Sequence, residues 1–272
     1  MKKIILSLLA LIATISLVAC DGTQTSSNVF EFILDESYED FLVMETSADY
    51  PPYENIEEGE DGNTVVGIDI EIAKAIADAA GKNLQVVHKG FDFLITDIQN
   101  GKADFAIAAI TPTPERLEQV DFSNSYYDAS DEQVVVIQKS DSEVYQSIDD
   151  INLETVIVGA QLGSLQSYLV QEQTSNAQAQ YLQDLNTLFT NLDNGQIHAL
   201  FSEQTVAETK ISQEYSNLMI AFTVDSQYTG NAIAVQKGDT ELLTLINTVI
   251  DELNASGKIN EWVEYYSAQY ES

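Results

Sequence analysis

Apolar positions along residues 41–110 follow two alternating periods. Phe41-Leu-Val-Met-Glu-Thr46 is a short apolar-rich run that reads as a strand, and the turn-forming Ser47-Ala-Asp-Tyr-Pro-Pro-Tyr53 follows it. Glu57 to Asn63 is acidic and contains glycine, which suits a hairpin-like excursion. Ile68, Ile72, Ile76 and Ala79 then recur at helical spacing, predicting a helix over 69–80 with Asp69 as N-cap and Gly81 as its stop. A strand over 84–87 and a helix over 92–100, closed by Gly101, continue the alternation. The almost wholly apolar run 105–110 has the character of a buried parallel strand, and Thr113-Pro114 opens another helix.

The alternation then restarts. Strands are predicted over 134–137 and 156–159, and Gly163-Ser164 opens a helix over 165–171. A helix over 185–193 ends at Asn194-Gly195, a strand covers 199–201, and a helix begins within 206–210. One more strand over 232–235 precedes closing helices over 242–253 and 259–266. Repeated strand–helix units imply α/β architecture with doubly wound sheets, and two similar sets imply two lobes.

The front of the chain is an address. Met1-Lys2-Lys3 is a basic start, and residues 4–18 are an apolar run shorter than the roughly 20 residues a membrane span needs. It ends in Leu17-Val18-Ala19-Cys20, where small residues stand ahead of the only cysteine. This run resembles a bacterial lipobox, in which the cysteine is lipidated and becomes the new N-terminus. Residues 1–19 are therefore expected to be a lipoprotein signal peptide and 20–39 a lipidated tether.

Charge narrows the partners. Against 11 Lys and Arg stand 44 Asp and Glu, a net charge of −33, which opposes the phosphate neutralisation that nucleic-acid binding requires. One cysteine and two histidines give no zinc set and no intrachain disulfide, so neither metal nor cofactor is expected.

Ligands of open α/β sheets sit beyond the carboxyl ends of strands, so the residues there are the candidates. They are Tyr50 after the first strand, Phe91 after 84–87, Thr111 and Arg116 after 105–110, Gly163 and Ser164 after 156–159, and Glu203 after 199–201. Together they suit a zwitterion, with a carboxylate at Arg116, an ammonium at Glu203 and an apolar stem between Tyr50 and Phe91. Each also admits a plainer role: Arg116 in a surface ion pair with Glu115 or Glu118, Glu203 as one acid among many, Tyr50 and Phe91 as core.

Residues 41–270 resemble the family 3 solute-binding proteins of bacterial ABC importers. The resemblance rests on T-S-A-D-Y-P-P-Y (46–53), V-G-I-D-I-E-I-A-K-A-I (66–76), F-D-F-L-I-T-D-I-Q-N-G-K-A-D (91–104) and, above all, I-T-P-T-P-E-R-L-E-Q-V-D-F-S-N-S-Y-Y (110–127). It implies a periplasmic-binding-protein-like fold of type II, with a ligand cleft between lobes joined by two crossing strands. Lobe 1 is expected at 40–131 plus 225–272 and lobe 2 at 132–224, with hinges near 128–133 and 224–229. By the same resemblance Arg116 matches the arginine that clamps a ligand carboxylate, helped by Thr111 and the backbone of Ala109. Ser164 matches a second-lobe carboxylate contact, Glu203 an ammonium anchor that is usually aspartate, and Tyr50 and Phe91 the flanking aromatics. Ser47 stands where an aspartate is common and Leu165 where a threonine is common, so the side chain of the ligand stays open among arginine or lysine, glutamine and cystine. Asp49 and Glu54 are the acids near enough to read it.

The implied function is a non-enzymatic, monomeric binding protein. It would be held by palmitate and related acyl chains on Cys20 at the outer face of a Gram-positive cell membrane, delivering a polar amino acid to permease subunits. The alternative on the same fold is a lyase of the cyclohexadienyl or arogenate dehydratase kind with Glu203 as general acid. Mass spectrometry of the mature N-terminus is expected to find a lipid-modified Cys20; an unmodified cysteine, or cleavage elsewhere, would overturn the lipoprotein reading.

Overall fold

The computed structural model of the chain describes residues 28–59, 62–127 and 132–270. The expected signal peptide, Cys20 and residues 128–131 of the first hinge lie outside the described residues. The chain opens with β1 (Val29–Phe32), β2 (Phe41–Thr46), β3 (Asp49–Tyr50), β4 (Glu54–Gly59) and β5 (Gly62–Val66). It continues through α1 (Ile68–Ala79), β6 (Asn83–His88), α2 (Phe91–Gln99), β7 (Phe105–Ala106), α3 (Pro114–Leu117) and β8 (Val120–Phe122). A second series follows: β9 (Gln133–Gln138), α4 (Ile148–Ile151), β10 (Ile157–Gln161), α5 (Leu165–Gln173), β11 (Gln178–Leu182), α6 (Leu185–Asp193), β12 (Ala199–Glu203), α7 (Gln204–Gln213) and β13 (Leu218–Val224). The chain then returns to the first series with β14 (Ala234–Gln236), α8 (Thr240–Ala255) and α9 (Lys258–Tyr270).

Two mixed sheets form the two lobes. The first runs β1-β6-β2-β7-β14-β8 and the second β11-β10-β12-β9-β13. In each, three parallel strands are followed by an antiparallel strand, the first after the chain crosses between the lobes: β14 in the first sheet, β9 in the second. A small antiparallel sheet, β3-β4-β5, carries the hairpin that the acidic stretch suggests.

The expected tether ends earlier than residue 39. Val29–Phe32 pairs antiparallel with β6, because Phe30, Phe32 and Leu34 alternate and lay an apolar edge on the core. The 105–110 strand is also shorter than its apolar run: only Phe105 and Ala106 pair, and Ala109 turns the chain with φ of 45°. Burial therefore outlasts the ladder, since residues 107, 108 and 110 stay inside without strand pairing.

Side chains of both lobes share one apolar cluster, in which Met44, Ile72, Leu84 and Phe105 join Leu188, Phe189, Leu192 and Leu200. The lobes are thus packed against each other. Helix α1, which borders the cleft, starts in an unusual way. Its first amides, on Ile68 and Asp69, donate to the carbonyls of Pro52 and Tyr53 at 3.2 and 2.9 Å. Gly67 makes that approach possible with φ of 134°, and a Cβ there would stand 2.1 Å from the Tyr53 carbonyl oxygen. Asp69 is therefore not the N-cap that the sequence suggests; Gly67 holds that position and the Asp69 side chain points inward.

Gly67→Ala is expected to destabilise the fold by at least about 3 kcal/mol, through backbone strain and displacement of the 52–53 turn. Urea unfolding reads this directly, and a midpoint equal to that of the parent would refute the contact's importance.

Candidate functional site

Arg116 lies at the centre of the site. Thr113 caps α3, its hydroxyl accepting the Arg116 N–H at 3.4 Å, and Pro114 fits the first helical position. The four-residue helix turns the guanidinium inward, where the residue is 8% exposed. Nη1 donates to the Thr111 carbonyl at 2.7 Å and Nη2 to the Gly163 carbonyl at 3.0 Å, so the cation bridges the lobes. The Phe91 ring lies 5.3 Å from Cζ, at cation–π range. Burial lowers the guanidinium pKa to about 10, which leaves it charged at neutral pH. Among the described residues no carboxylate forms a salt bridge with it. Among the described residues neither Glu115 nor Glu118 forms a surface salt bridge with it; the cation is buried instead. A cavity of about 460 Å³ opens beside it, lined in part by Thr113, Gly163, Ser164, Tyr168 and Tyr228.

Gly163 and Ser164 sit where β10 ends and α5 begins. Gly163 has φ of 77°, and a Cβ on it would come within 3.0 Å of the Asp92 Cα in the opposite lobe. The Ser164 hydroxyl caps α5 by accepting the Ser167 N–H at 3.1 Å and donates to the Gln161 carbonyl at 2.7 Å. Its hydroxyl is thus used within lobe 2. The backbone of Ala109 is also used differently from the sequence expectation. Its N–H donates to Asp69 Oδ2 at 2.9 Å, so that amide is not the one that meets a ligand carboxylate.

Glu203, at the junction of β12 and α7, is 5% exposed. Its charge reaches two groups of lobe 1, Glu54 and Tyr126. Glu54 and Asp69 are both fully buried. Burial first, then the Asp69 charge, pushes the Glu54 carboxyl well above its usual range. Burial raises Asp69 to about 6, opposed by the Ala109 amide, Glu54 and the Tyr126 hydroxyl, which donates at 3.0 Å. Of the two acids, Glu54 is thus the harder to ionise.

Tyr50 stacks on Tyr53 with ring centres 6.0 Å apart and accepts from the Gln166 amide at 3.4 Å. Gln166 also donates to Gln133 Oε1 at 2.8 Å. Asp49, beside Tyr50, is 3% exposed and accepts from the Leu185 N–H at 2.7 Å and the Ser47 hydroxyl at 3.0 Å. The Gln161 amide donates to both of its oxygens, at 3.2 and 3.3 Å. Ser47, which stands where an aspartate is common, thus serves the aspartate two positions on. The structure joins Arg116, Thr111, Gly163 and Phe91 in one group and Glu203 with Glu54 in another. Gln133, Gln161, Gln166 and Tyr126 were not among the sequence candidates; a polar residue at the end of an apolar strand, as at Gln161, is the one signal that could have marked them.

Comparison with known proteins gives a consistent result. Residues 42–269 match the model of the bacterial extracellular solute-binding proteins, family 3. The chain is 34% identical over 269 residues to the arginine-binding extracellular protein ArtP of Bacillus subtilis (strain 168), covering 96% of each. It is 29% identical over 214 residues to ABC transporter arginine-binding protein 1 of Escherichia coli (strain K12), covering 78% of this chain and 84% of that one. Its structure resembles that of the amino acid ABC transporter substrate-binding protein AbpA of Streptococcus pneumoniae bound to L-arginine, with a TM-score of 0.80. That match has 32% identity and covers 85% of this chain and 96% of that one.

The carboxyl pair makes a pH prediction. Asp69 and Glu54 have folded-state pKa values raised above their unfolded ones, so the stability they contribute is full below the unfolded values and lost as pH rises through about 6 and beyond. Glu54→Gln removes the carboxyl that is harder to ionise, so its melting temperature relative to the parent should climb between pH 5 and pH 8. A gain on the order of 1 kcal/mol corresponds to about 2–4 °C. Parallel melting curves across that range would refute the raised carboxyl.

Proposed function

Because the chain belongs to the bacterial extracellular solute-binding proteins of family 3, we propose that it captures arginine between its lobes and hands it to the permease of an ABC importer. The observation that carries this reading is the buried Arg116 guanidinium, which has no carboxylate in salt-bridge contact among the described residues. Its planar fork matches a ligand carboxylate in two parallel hydrogen bonds. Carbonyls of Thr111 and Gly163 hold that fork from opposite lobes, so the anion site is complete only when the cleft is shut. The ligand ammonium goes to Glu203, in the negative field that Glu54 and Asp69 share with it. Tyr50 and Phe91 flank the aliphatic stem.

Arginine is favoured over the other polar amino acids because the matched relatives carry that ligand in their names. Asp49 is set aside as reader of the ligand side chain, since Leu185, Ser47 and Gln161 already use its oxygens. The lyase reading, with Glu203 as general acid, has less support: these relatives are named as binding proteins. The reading takes lobe 1 as 29–131 plus 225–272, with β1 included, and lobe 2 as 132–224. It also takes Cys20 as the lipid anchor of a monomer at the outer membrane face.

Calorimetry with L-arginine is the test. Removing one partner of a desolvated charge pair costs about 2–5 kcal/mol, so Arg116→Lys and Glu203→Gln should each weaken binding by roughly 30-fold or more. Binding of L-arginine by Arg116→Lys as tight as by the parent would overturn the carboxylate assignment. The same result for Glu203→Gln would move the ammonium elsewhere.

A further inference from the structure

The contacts of Asp49 point to a function that ligand recognition does not use. We infer that Asp49 is a positioning residue, a latch that holds the shut cleft closed by docking its carboxylate on the N-terminus of helix α6 in the opposite lobe. The inference goes beyond the ligand assignment and rests only on the cleft between the lobes being the binding site.

Three features support it. The first is the identity of the donors. Asp49 belongs to β3, in the small sheet that adjoins lobe 1, whereas Leu185 and Gln161 belong to α6 and β10 of lobe 2. Only Ser47 donates from its own side. Most of what satisfies this buried carboxylate is therefore available in the closed arrangement alone.

The second feature is the helix end itself. The first amides of a helix have no partner within it, and they carry the positive end of its dipole. In α6, Asp184 serves as N-cap and accepts the Thr187 N–H at 2.6 Å, which leaves the Leu185 N–H to be met from elsewhere. Asp49 meets it from across the lobe boundary at 2.7 Å. The match is reciprocal: apart from the Ser47 hydroxyl, the donors to this acid come from lobe 2, and the acceptor for the first α6 amide comes from the other side.

The third feature is a complementary charge. Lys210 of α7, 3% exposed and bonded to Asn186 of α6, lies close enough for its charge and that of Asp49 to stabilise each other. Burial works against the ionised carboxyl, raising its pKa to about 6, and the Asp184 charge adds to that effect; the Leu185 N–H, the Ser47 hydroxyl and Lys210 oppose it. When the lobes part, water replaces the cross-lobe donors and the constraint is lost.

Ligand capture by an open cleft does not involve this contact, whereas escape requires breaking it. Asp49→Ala and Asp49→Asn should therefore raise the dissociation rate of L-arginine about tenfold while leaving the association rate within about twofold. Stopped-flow fluorescence measures both rates. A merely structural role would lower the fraction of active protein without changing the dissociation rate of the molecules that bind. Asn keeps one acceptor for the Leu185 amide, so it should be less affected than Ala.

Small-angle scattering of the ligand-free proteins supplies a reading independent of arginine: Asp49→Ala should have a larger radius of gyration than the parent. A parent that fails to bind arginine would overturn the ligand assignment and leave this second comparison intact. Equal radii without ligand, or dissociation rates equal to the parent's, would overturn the latch.

Discussion

A guanidinium held out of water, with no carboxylate in salt-bridge contact among the described residues, governs this molecule. Desolvating such an ion costs several kcal/mol unless hydrogen bonds and opposite charge offset it. The chain supplies two carbonyls and an aromatic face to Arg116, from residues 111, 163 and 91. Those groups orient the cation but do not neutralise it. The neighbouring site gathers Glu54, Asp69 and Glu203, whose proximity and burial make Glu54 hard to ionise. A buried cation on one side and clustered acids on the other are the two poles that the proposed capture of an α-amino acid relies on.

The sheet arrangement explains how these poles come from different parts of the chain. Each sheet includes an antiparallel strand that the chain enters directly from the other lobe, β9 in the second sheet and β14 in the first, so the lobes are joined where these strands begin. Strand β9 begins at Gln133, paired in register with Glu203 and bonded to Gln166. Gly67 and Gly163 permit close backbone approaches at the cleft margin, where any side chain would act as a wedge.

Legibility in the sequence tracked how local each determinant is. Helices α3, α5 and α6 were readable because Thr113, Ser164 and Asp184 cap them with their own side chains. Strands β1, β8 and β11 were missed because they are short or mix polar residues with apolar ones; β13, seven almost wholly apolar residues, was missed although its pattern was there to read. Arg116 and Glu203 could be nominated from their places after strands. The inward role of Asp69 could not: an acid near a helix start looks like a cap, and only the tertiary fold brings Tyr126 and Ala109 to it. Asp49 was visible as a nearby acid, but its partner is an amide 136 positions away. In a chain with 44 acidic residues, composition gives no means of ranking those that are buried.

The position of β14 bears on the order in which the chain can acquire structure during synthesis. All strands of the second sheet lie within residues 133–224, so that sheet has its full complement as soon as this stretch has emerged. The first sheet does not. Its strands β7 and β8 are separated by a gap that only residues 234–236 fill. The earlier part of the chain must therefore wait, its sheet incomplete, while the later part assembles. Pairings that span so many residues form slowly, so the first sheet stays open to water and to other strands for longer than the second.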